Sequence, residues 1–585
     1  MKARKTQSGK SAAGKKKKAP AAPRKQARGG PARAAQEAQA VAQLRAGNYA
    51  AAEAILRSIA EITPDDPGAH NNLGVALKAQ GKFTEAIDCY RRSLALKTDE
   101  PGAWNNLGNA LKLSGNVDEA TASYRRALEL DPRHVDAWFN LGTALLERGE
   151  VEPAQAAYRE VLALNPRHRD ALANLGVALR RSGRLDEAID CGQRAMAIDP
   201  RNLTTLRNLC HALDAAGRHE EAEAGYRRAL ALDPRHAETL TGLGTTLARL
   251  LRVDEAIATQ RQALAIEPDY ALAHLNLALA LLLSGNLAEG WKEYEWRWRS
   301  PEFAEKPFDY PRPQWRGEDI AGRTILLHHE QGFGDTLQFI RYAPLIAQRG
   351  ARVIAGVQPE LARLLRTIPG VEIITHGAPV PEYHVHASLL SLPLAFGTVL
   401  ETVPAAVPYL RADPALAARW RERLGAERAL KIGLVWAGKA SYKQDLMRSL
   451  RLADFAPLAR LPGIAFYSLQ KGDRAARPED RIDGMRFTDC SADLTDFADT
   501  AALVANLDLV ISADTAVAHL AGAMARPVWL LSRQESEWRW LLGRNDSPWY
   551  PTLRLFRQRT RGDWAGVIAS VGEALGAIVR ARSAS

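Results

Sequence analysis

Three short segments in the second half of the chain carry side chains that could do chemistry. The first reads His328-His329-Glu330-Gln331-Gly332-Phe333-Gly334-Asp335-Thr336. Gly332 and Gly334 let backbone approach a ligand closely. Asp335 stands where a carboxylate could accept a proton from an incoming hydroxyl, although a glycine-rich turn with an aspartate cap accounts for the same residues. The second segment, Val435-Trp436-Ala437-Gly438-Lys439, runs on to Arg448-Ser449, and Lys471 follows in Ser468-Leu469-Gln470-Lys471-Gly472. Lys439 and Lys471 would meet a diphosphate as point charges and Arg448 as a fork. A solvated loop is the plainer reading of each cation. The third segment is Ser512-Ala513-Asp514-Thr515-Ala516-Val517-Ala518-His519. A helix beginning there would turn free N–H groups toward an anion, with Asp514, Thr515 and His519 beside it. A simple cap at Asp514 or Thr515, with His519 packed against a sheet, is the alternative.

Such segments need strands that end where they begin. Strand-like runs lie at 324–328, 352–357, 371–375, 431–436, 464–469, 509–512 and 528–531. Helical patterns fall between them, from about Leu337, near 360–367, and at 452–460, 497–506 and 516–525. Strand–helix alternation in two blocks predicts two parallel α/β domains, residues 301–415 and 416–585. Ligands of such sheets bind at the carboxyl ends of the strands, so two facing domains leave a cleft for two substrates.

The first half is organised differently. Leu73, Leu107, Leu141, Leu175, Leu209, Leu243 and Leu277 recur every 34 residues. Gly follows at 74, 108, 142, 176 and 244, a second Gly series runs from 81 to 285, and Tyr stands at 90, 124, 158, 226 and 294. Pro recurs from 64 to 268. Each unit is a pair of short helices that cannot bury its apolar face alone and must stack on its neighbours. The period and pattern resemble the tetratricopeptide repeat family over residues 36–300, with 36–66 as a degenerate end unit. Asn72, Asn106, Asn140, Asn174, Asn208 and Asn276 precede the repeated Leu. A row of amides can bond the backbone of an extended peptide without reading its side chains. The row resembles the asparagine ladder of the eukaryotic protein O-GlcNAc transferases, although Asn is common at this position in ordinary repeats.

The chain has 585 residues, 46% hydrophobic and 25% charged, which excludes collagen, a coiled-coil rod and a wholly disordered chain. The net charge of +11 belongs to the N-terminus. Residues 1–35 hold twelve Lys/Arg and no Asp/Glu, leaving the rest at −1. The body therefore offers no global electrostatic reason to bind nucleic acid. The tail should be disordered. It reads as a solubilising segment or as a tether to nucleic acid or anionic lipid. Four scattered cysteines predict no disulfide framework and agree with a reducing cytoplasm. No transmembrane segment is expected. The longest apolar stretch, 271–283, is interrupted by His274 and Asn276 and is too short to span a bilayer, and no secretory signal is evident.

Taken together, the strand–GxGD–helix opening at 324–345, Lys439 and the Asp-Thr-x-x-x-His of 514–519 resemble the heptosyltransferase family of GT-B glycosyltransferases. The junction from Glu289 to Trp298 and the segment Ser547-Pro548-Trp549-Tyr550-Pro551 look like bacterial repeat-containing relatives of the protein O-GlcNAc transferases. Two departures matter. Ala516 stands where heptosyltransferases have Gly, and Thr-Leu-Gln-Phe follows Asp335, so a heptose acceptor is not implied. The resemblance implies an inverting transfer from a nucleotide-diphosphate sugar, UDP-linked as in the repeat-bearing relatives, to a Ser/Thr hydroxyl of a protein held by the repeats. It makes Asp335 the base and gives the diphosphate to Lys439, Arg448, Lys471, Asp514, Thr515 and His519. No metal is expected, since no Asp-x-Asp occurs after residue 300, and no cofactor beyond the sugar donor. The rival reading is a repeat scaffold with an inactive glycosyltransferase-like domain.

Overall fold

The computed structural model describes residues 31–300, 310–375, 378–425, 428–439, 445–477 and 480–584. The expectation of a disordered tail therefore falls, for residues 1–30, outside the described residues. The chain divides into two compact units, Met1–Ala212 and Leu213–Ser585.

The first unit is built of antiparallel helix pairs. After Pro31–Arg45 and Tyr49–Ile62 come Pro67–Ala79 with Phe83–Leu96, Pro101–Leu113 with Val117–Leu130, and Val135–Glu147 with Val151–Leu164. The turn inside each pair is made by the second Gly series, with φ of +77° at Gly81 and +89° at Gly115. Only Gly takes that conformation without a steric penalty on Cβ. The first Gly series has a different purpose. A Cβ on Gly74, Gly108 or Gly142 would lie 2.6, 2.5 or 2.8 Å from the ring of Tyr90, Tyr124 or Tyr158. Gly on one helix and Tyr on the next are thus one packing device, and all three rings are fully buried. Between pairs, Arg91 reaches Glu119, 28 residues on, at 2.8 Å. Exposed pairs of this kind contribute only a few tenths of a kcal/mol to about 1 kcal/mol each.

The second unit opens with further repeat helices, ending with Ala237–Arg249, Val253–Ile266, Ala271–Ser284 and Leu287–Tyr294. A four-stranded parallel sheet follows, of β1 (Thr324–His328), β2 (Arg352–Val357), β3 (Val371–Thr375) and β4 (Val385–Ser388), in the order β3-β2-β1-β4. The second sheet holds β5 (Leu430–Val435), β6 (Ile464–Ser468), β7 (Phe487–Asp489), β8 (Leu509–Ala513), β9 (Val528–Ser532) and β10 (Leu553–Arg557). Its order is β10-β9-β8-β5-β6-β7, all parallel. The architecture is thus a helical-repeat region followed by two parallel α/β sheets. Sequence reading omits β4, β7 and β10. The first two are very short, and Arg554 and Arg557 interrupt the apolar run of β10.

The turn Glu295–Arg299, which follows the last repeat helix, is fastened to the first sheet by buried polar contacts. Arg297, with no exposed surface, donates to Glu330 at 3.0 Å, Glu295 at 2.7 Å and Ser391 at 2.9 Å. A buried cation is tolerable only when its donors are satisfied in this way. Trp291 packs edge-on against Phe339, Trp538 and Trp549.

One sequence expectation needs correction. The helix Trp564–Ala584 is longer than the apolar stretch 271–283, and its segment Trp564–Arg582 is apolar enough to cross a membrane by length and composition. Here Val567, Ile568, Val571 and Leu575 lie in the core of the second sheet, while Glu573 and Arg580 interrupt the apolar run.

Candidate active site

β1 and β8 belong to different sheets, and the loops leaving their carboxyl ends meet. After β1 the chain turns through Gln331, whose φ of +59° is left-handed and rare for a non-glycine residue. Gln331 is held by donating from Nε2 to the Tyr294 hydroxyl at 2.9 Å. Gly332 then caps the helix Phe333–Phe339. This helix starts four residues before the position expected near Leu337. The reason is the Asp335 carboxylate, which folds back to accept from the Gly332 N–H at 2.9 Å. After β8, Thr515 precedes the helix Ala516–Ala523, with Ser512 Oγ 3.1 Å from Thr515 Oγ1.

The two helices touch at their starts. A Cβ on Gly334 would stand 3.0 Å from His519 Cδ2, so Gly here permits the close approach. His519 is buried, and its Nδ1 is hydrogen-bonded to the Tyr550 hydroxyl at 3.0 Å. Burial, together with the cations Arg539, Arg341 and Arg448, holds this imidazole well below the usual histidine range, and so neutral. Asp514 Oδ2 accepts from the Trp540 indole N–H at 3.0 Å. Burial first, and the Glu537 charge second, push the Asp514 carboxyl up to about 6.

Asp335 has a second partner. Its Oδ1 accepts from Arg539, which comes from the segment between β9 and β10. Arg539 also donates to Glu537 at 2.7 Å and to Gln338 at 3.0 Å, and its guanidinium carbon lies 4.1 Å from the centre of the Trp538 ring. Burial raises the Asp335 carboxyl above the ordinary range, against the opposing pull of Arg539.

The structure brings Asp335, Asp514, Thr515, His519 and Gly334 together. Lys439 and Lys471 are exposed just beyond the carboxyl ends of β5 and β6, the strands next in order to β8. The intervening loop is braced by Gln470 Oε1, which accepts from the Trp436 and Ala437 N–H groups at 3.1 and 2.9 Å. Residues 440–444, between Lys439 and Arg448, lie outside the described residues. Arg448 ends the short helix Asp445–Arg448, and its charge is felt at Asp514 and His519. Sequence reasoning omits Arg539, Glu537, Trp540 and Gln338. The available signal was Glu537-Trp538-Arg539-Trp540, charged residues alternating with two tryptophans. All six amides of the asparagine row are half-buried. Asn106 and Asn140 each donate to an amide of the preceding repeat, Asn71 and Asn105, at 3.1 and 2.9 Å. Asn276 donates to Thr245 at 3.0 Å.

Residues 464–548 match the model of glycosyltransferase family 9 (heptosyltransferase). That stretch contains Lys471, Asp514, Thr515, His519 and Arg539, while Asp335 and Lys439 lie outside it. Residues 8–276 match the C-terminal domain of cilia and flagella-associated protein 70. The chain thus joins a tetratricopeptide-type repeat region, of the kind that suits protein interaction, to a glycosyltransferase-type α/β region. Among curated proteins it is 30% identical over 335 residues to protein FlbA of Caulobacter vibrioides, covering 52% of this chain and 55% of that protein. The chain therefore spans about half the length of this relative. Similar solved structures include the APC/C hetero-tetramer Cut9-Hcn1, at 20% identity and TM-score 0.36, covering 41% of this chain and 48% of that one. PilF of Pseudomonas aeruginosa matches at 22% identity and TM-score 0.33, covering 36% and 95% of the two chains. YrrB, described as a repeat protein with an unusual peptide-binding site, matches at 22% and 0.29, covering 32% and 96%.

Proposed function

We propose that the chain is an inverting, metal-independent glycosyltransferase that moves a sugar from a nucleotide-diphosphate donor to an acceptor hydroxyl. The observation that carries this reading is the convergence of Asp335 with Asp514, Thr515 and His519 at the carboxyl ends of β1 and β8, in a chain that matches glycosyltransferase family 9 over 464–548. The acceptor oxygen attacks the anomeric carbon as the bond to the diphosphate breaks, and single displacement inverts that carbon. Asp335 accepts the hydroxyl proton as it is lost. The departing diphosphate meets the start of the helix Ala516–Ala523, with Thr515, His519 and Asp514 beside it and Lys439, Arg448 and Lys471 as cations. Cation and helix-dipole stabilisation takes the role a metal has in other glycosyltransferases.

The favoured donor is a UDP-sugar and the favoured acceptor a Ser or Thr of a protein. The half-buried asparagine row supports an extended peptide as the repeat ligand, since an amide that donates once to the neighbouring repeat, as Asn106, Asn140 and Asn276 do, keeps a further donor and its acceptor oxygen. The scattered cysteines favour a reducing compartment, the cytoplasm. The test is a screen of UDP-, GDP- and ADP-sugars by thermal shift and nucleotide release, with Lys439→Ala in parallel. A donor that stabilises the wild type and loses its effect in the variant is expected. No binding by any donor would leave a repeat scaffold with an inactive domain.

A further inference from the structure

The Asp335 carboxylate belongs to the first sheet's side of the site, and the cation that holds it comes from the second, 204 residues later. Arg539 is only 4% exposed. Its donors go to three different acceptors: Gln338 at 3.0 Å, Glu537 at 2.7 Å and Asp335. The Gln338 side chain, itself fully buried, turns its oxygen to Arg539 and leaves its Nε2 with no partner among the described residues. The three acceptors orient the guanidinium from several sides.

We propose that Arg539 is the positioning residue of this site: its guanidinium fixes the Asp335 carboxylate for the acceptor hydroxyl, with Glu537 competing for the same cation. The inference rests on the reading of Asp335 as the base. The geometry suits it. Asp335 Oδ2 takes the Gly332 N–H at 2.9 Å and Oδ1 takes Arg539. Each carboxylate oxygen has two acceptor sites, so one site on each oxygen remains for a substrate proton. Burial alone would drive this carboxyl toward its neutral form, which cannot act as a base, and Arg539 opposes that. The other charged and titratable groups of the cluster are Glu537, whose charge pushes Asp335 the opposite way, Tyr294 beside Arg539, and Asp514, Arg448, Arg341, Tyr550 and neutral His519 around the start of the helix Ala516–Ala523. Because base and positioner come from different sheets, the base is complete only when the two sheets are in register.

The test is the pH profile of kcat for release of nucleotide from whichever UDP-, GDP- or ADP-hexose the full-length wild type hydrolyses, with water in place of the acceptor. Circular dichroism and thermal shift with that donor would monitor folding of each variant. In Arg539→Met the acidic limb should move up by about one to three pH units, the size of shift an adjacent opposite charge produces. Arg539→Lys should return it most of the way, with kcat affected more than KM. Glu537→Gln should move the limb in the opposite direction, because a competing negative charge is removed. That variant keeps the proposal falsifiable if Arg539→Met does not fold. An unmoved limb in a folded Arg539→Met, or an upward or absent shift in Glu537→Gln, would overturn the inference and leave the glycosyltransferase reading standing. No turnover of any donor by the wild type would overturn both.

Discussion

The repeats and the active site solve opposite packing problems. In the repeats, a fully buried Tyr ring lies where Gly provides the space. In the site, buried His519 and Arg539 are packed with half-buried Asp335 and Asp514, where each charge must be met by a partner. The first arrangement gains stability from apolar contact. The second sacrifices some of it to hold groups in states they would not choose in water. Substitutions should therefore have opposite signatures in the two regions: lost stability without lost activity in the repeats, lost activity with unchanged or increased stability in the site.

The largest expected effect sharpens that contrast. Asp335→Asn keeps the shape and the contact with Gly332, yet on the proposed function it removes the base. We expect kcat for transfer to fall by roughly 10²–10⁴-fold, with donor binding retained. Loss of donor binding in parallel with kcat would mean that Asp335 serves the diphosphate instead.

Asp514→Asn should show a stability gain tied to pH. Folded Asp514 titrates at about 6 because burial, and then Glu537, oppose its charge, against about 3.9 for a free aspartate. A carboxyl raised in the fold binds protons more readily there than in the unfolded chain. Its contribution is therefore full below pH 4 and lost as pH rises through 6. Asn carries no such penalty. The advantage of Asp514→Asn in thermal unfolding should be absent near pH 4 and grow to about 3 kcal/mol above pH 6, while donor affinity declines. An advantage independent of pH would break the comparison.

The two regions also differ in how far they can be read from sequence. Repeat packing is local. Gly108 and Tyr124 lie in one helix pair, and the same offset recurs in successive units, so the pattern discloses both the element and its partner. Each loop of the site was legible alone, because Gly332, Asp335, Asp514 and Thr515 stand at strand–helix transitions. What joins them was not. Arg539 sits in a stretch without periodicity, far in sequence from the carboxylate it holds, and no local spacing encodes that distance. The aspartate cap offered by the sequence is present, as a carboxylate bond from Asp335 back to the Gly332 N–H; the start of the helix at Phe333 escaped because the glycine-rich segment itself forms the first turn.

Within the repeats, the Gly–Tyr device predicts a graded response. Gly108→Ala places a methyl group 2.5 Å from the Tyr124 ring and should destabilise by about 1–3 kcal/mol through overpacking. That loss is partly offset by the roughly 1 kcal/mol that Ala gains over Gly in a helix. The repeat containing Gly192 lacks the tyrosine, and a methyl on its partner Gly176 meets Ala188 O at 3.2 Å. Gly176→Ala should be close to neutral in chemical denaturation. Equal losses at the two positions would show that the ring is not what the glycine accommodates.

The smallest effect concerns the tyrosine hydroxyls. Tyr124 donates to Asn109 at 2.8 Å and Tyr158 to Thr143 at 3.2 Å, each acceptor lying 15 residues earlier. The same offset from Tyr90 reaches Val75, which has no side-chain acceptor, and the buried Tyr90 hydroxyl has no partner among the described residues. Removing a satisfied hydroxyl costs about 1 kcal/mol, whereas removing an orphaned one costs nothing or stabilises. Tyr124→Phe should therefore lower the denaturation midpoint, and Tyr90→Phe should leave it unchanged or raise it. Val75→Thr, by placing a hydroxyl where Thr143 has one, should make Tyr90→Phe destabilising in the double variant. If Tyr90→Phe is as harmful as Tyr124→Phe in the wild-type background, the hydroxyls matter through shape alone, and the fold gains nothing from the acceptors beside them.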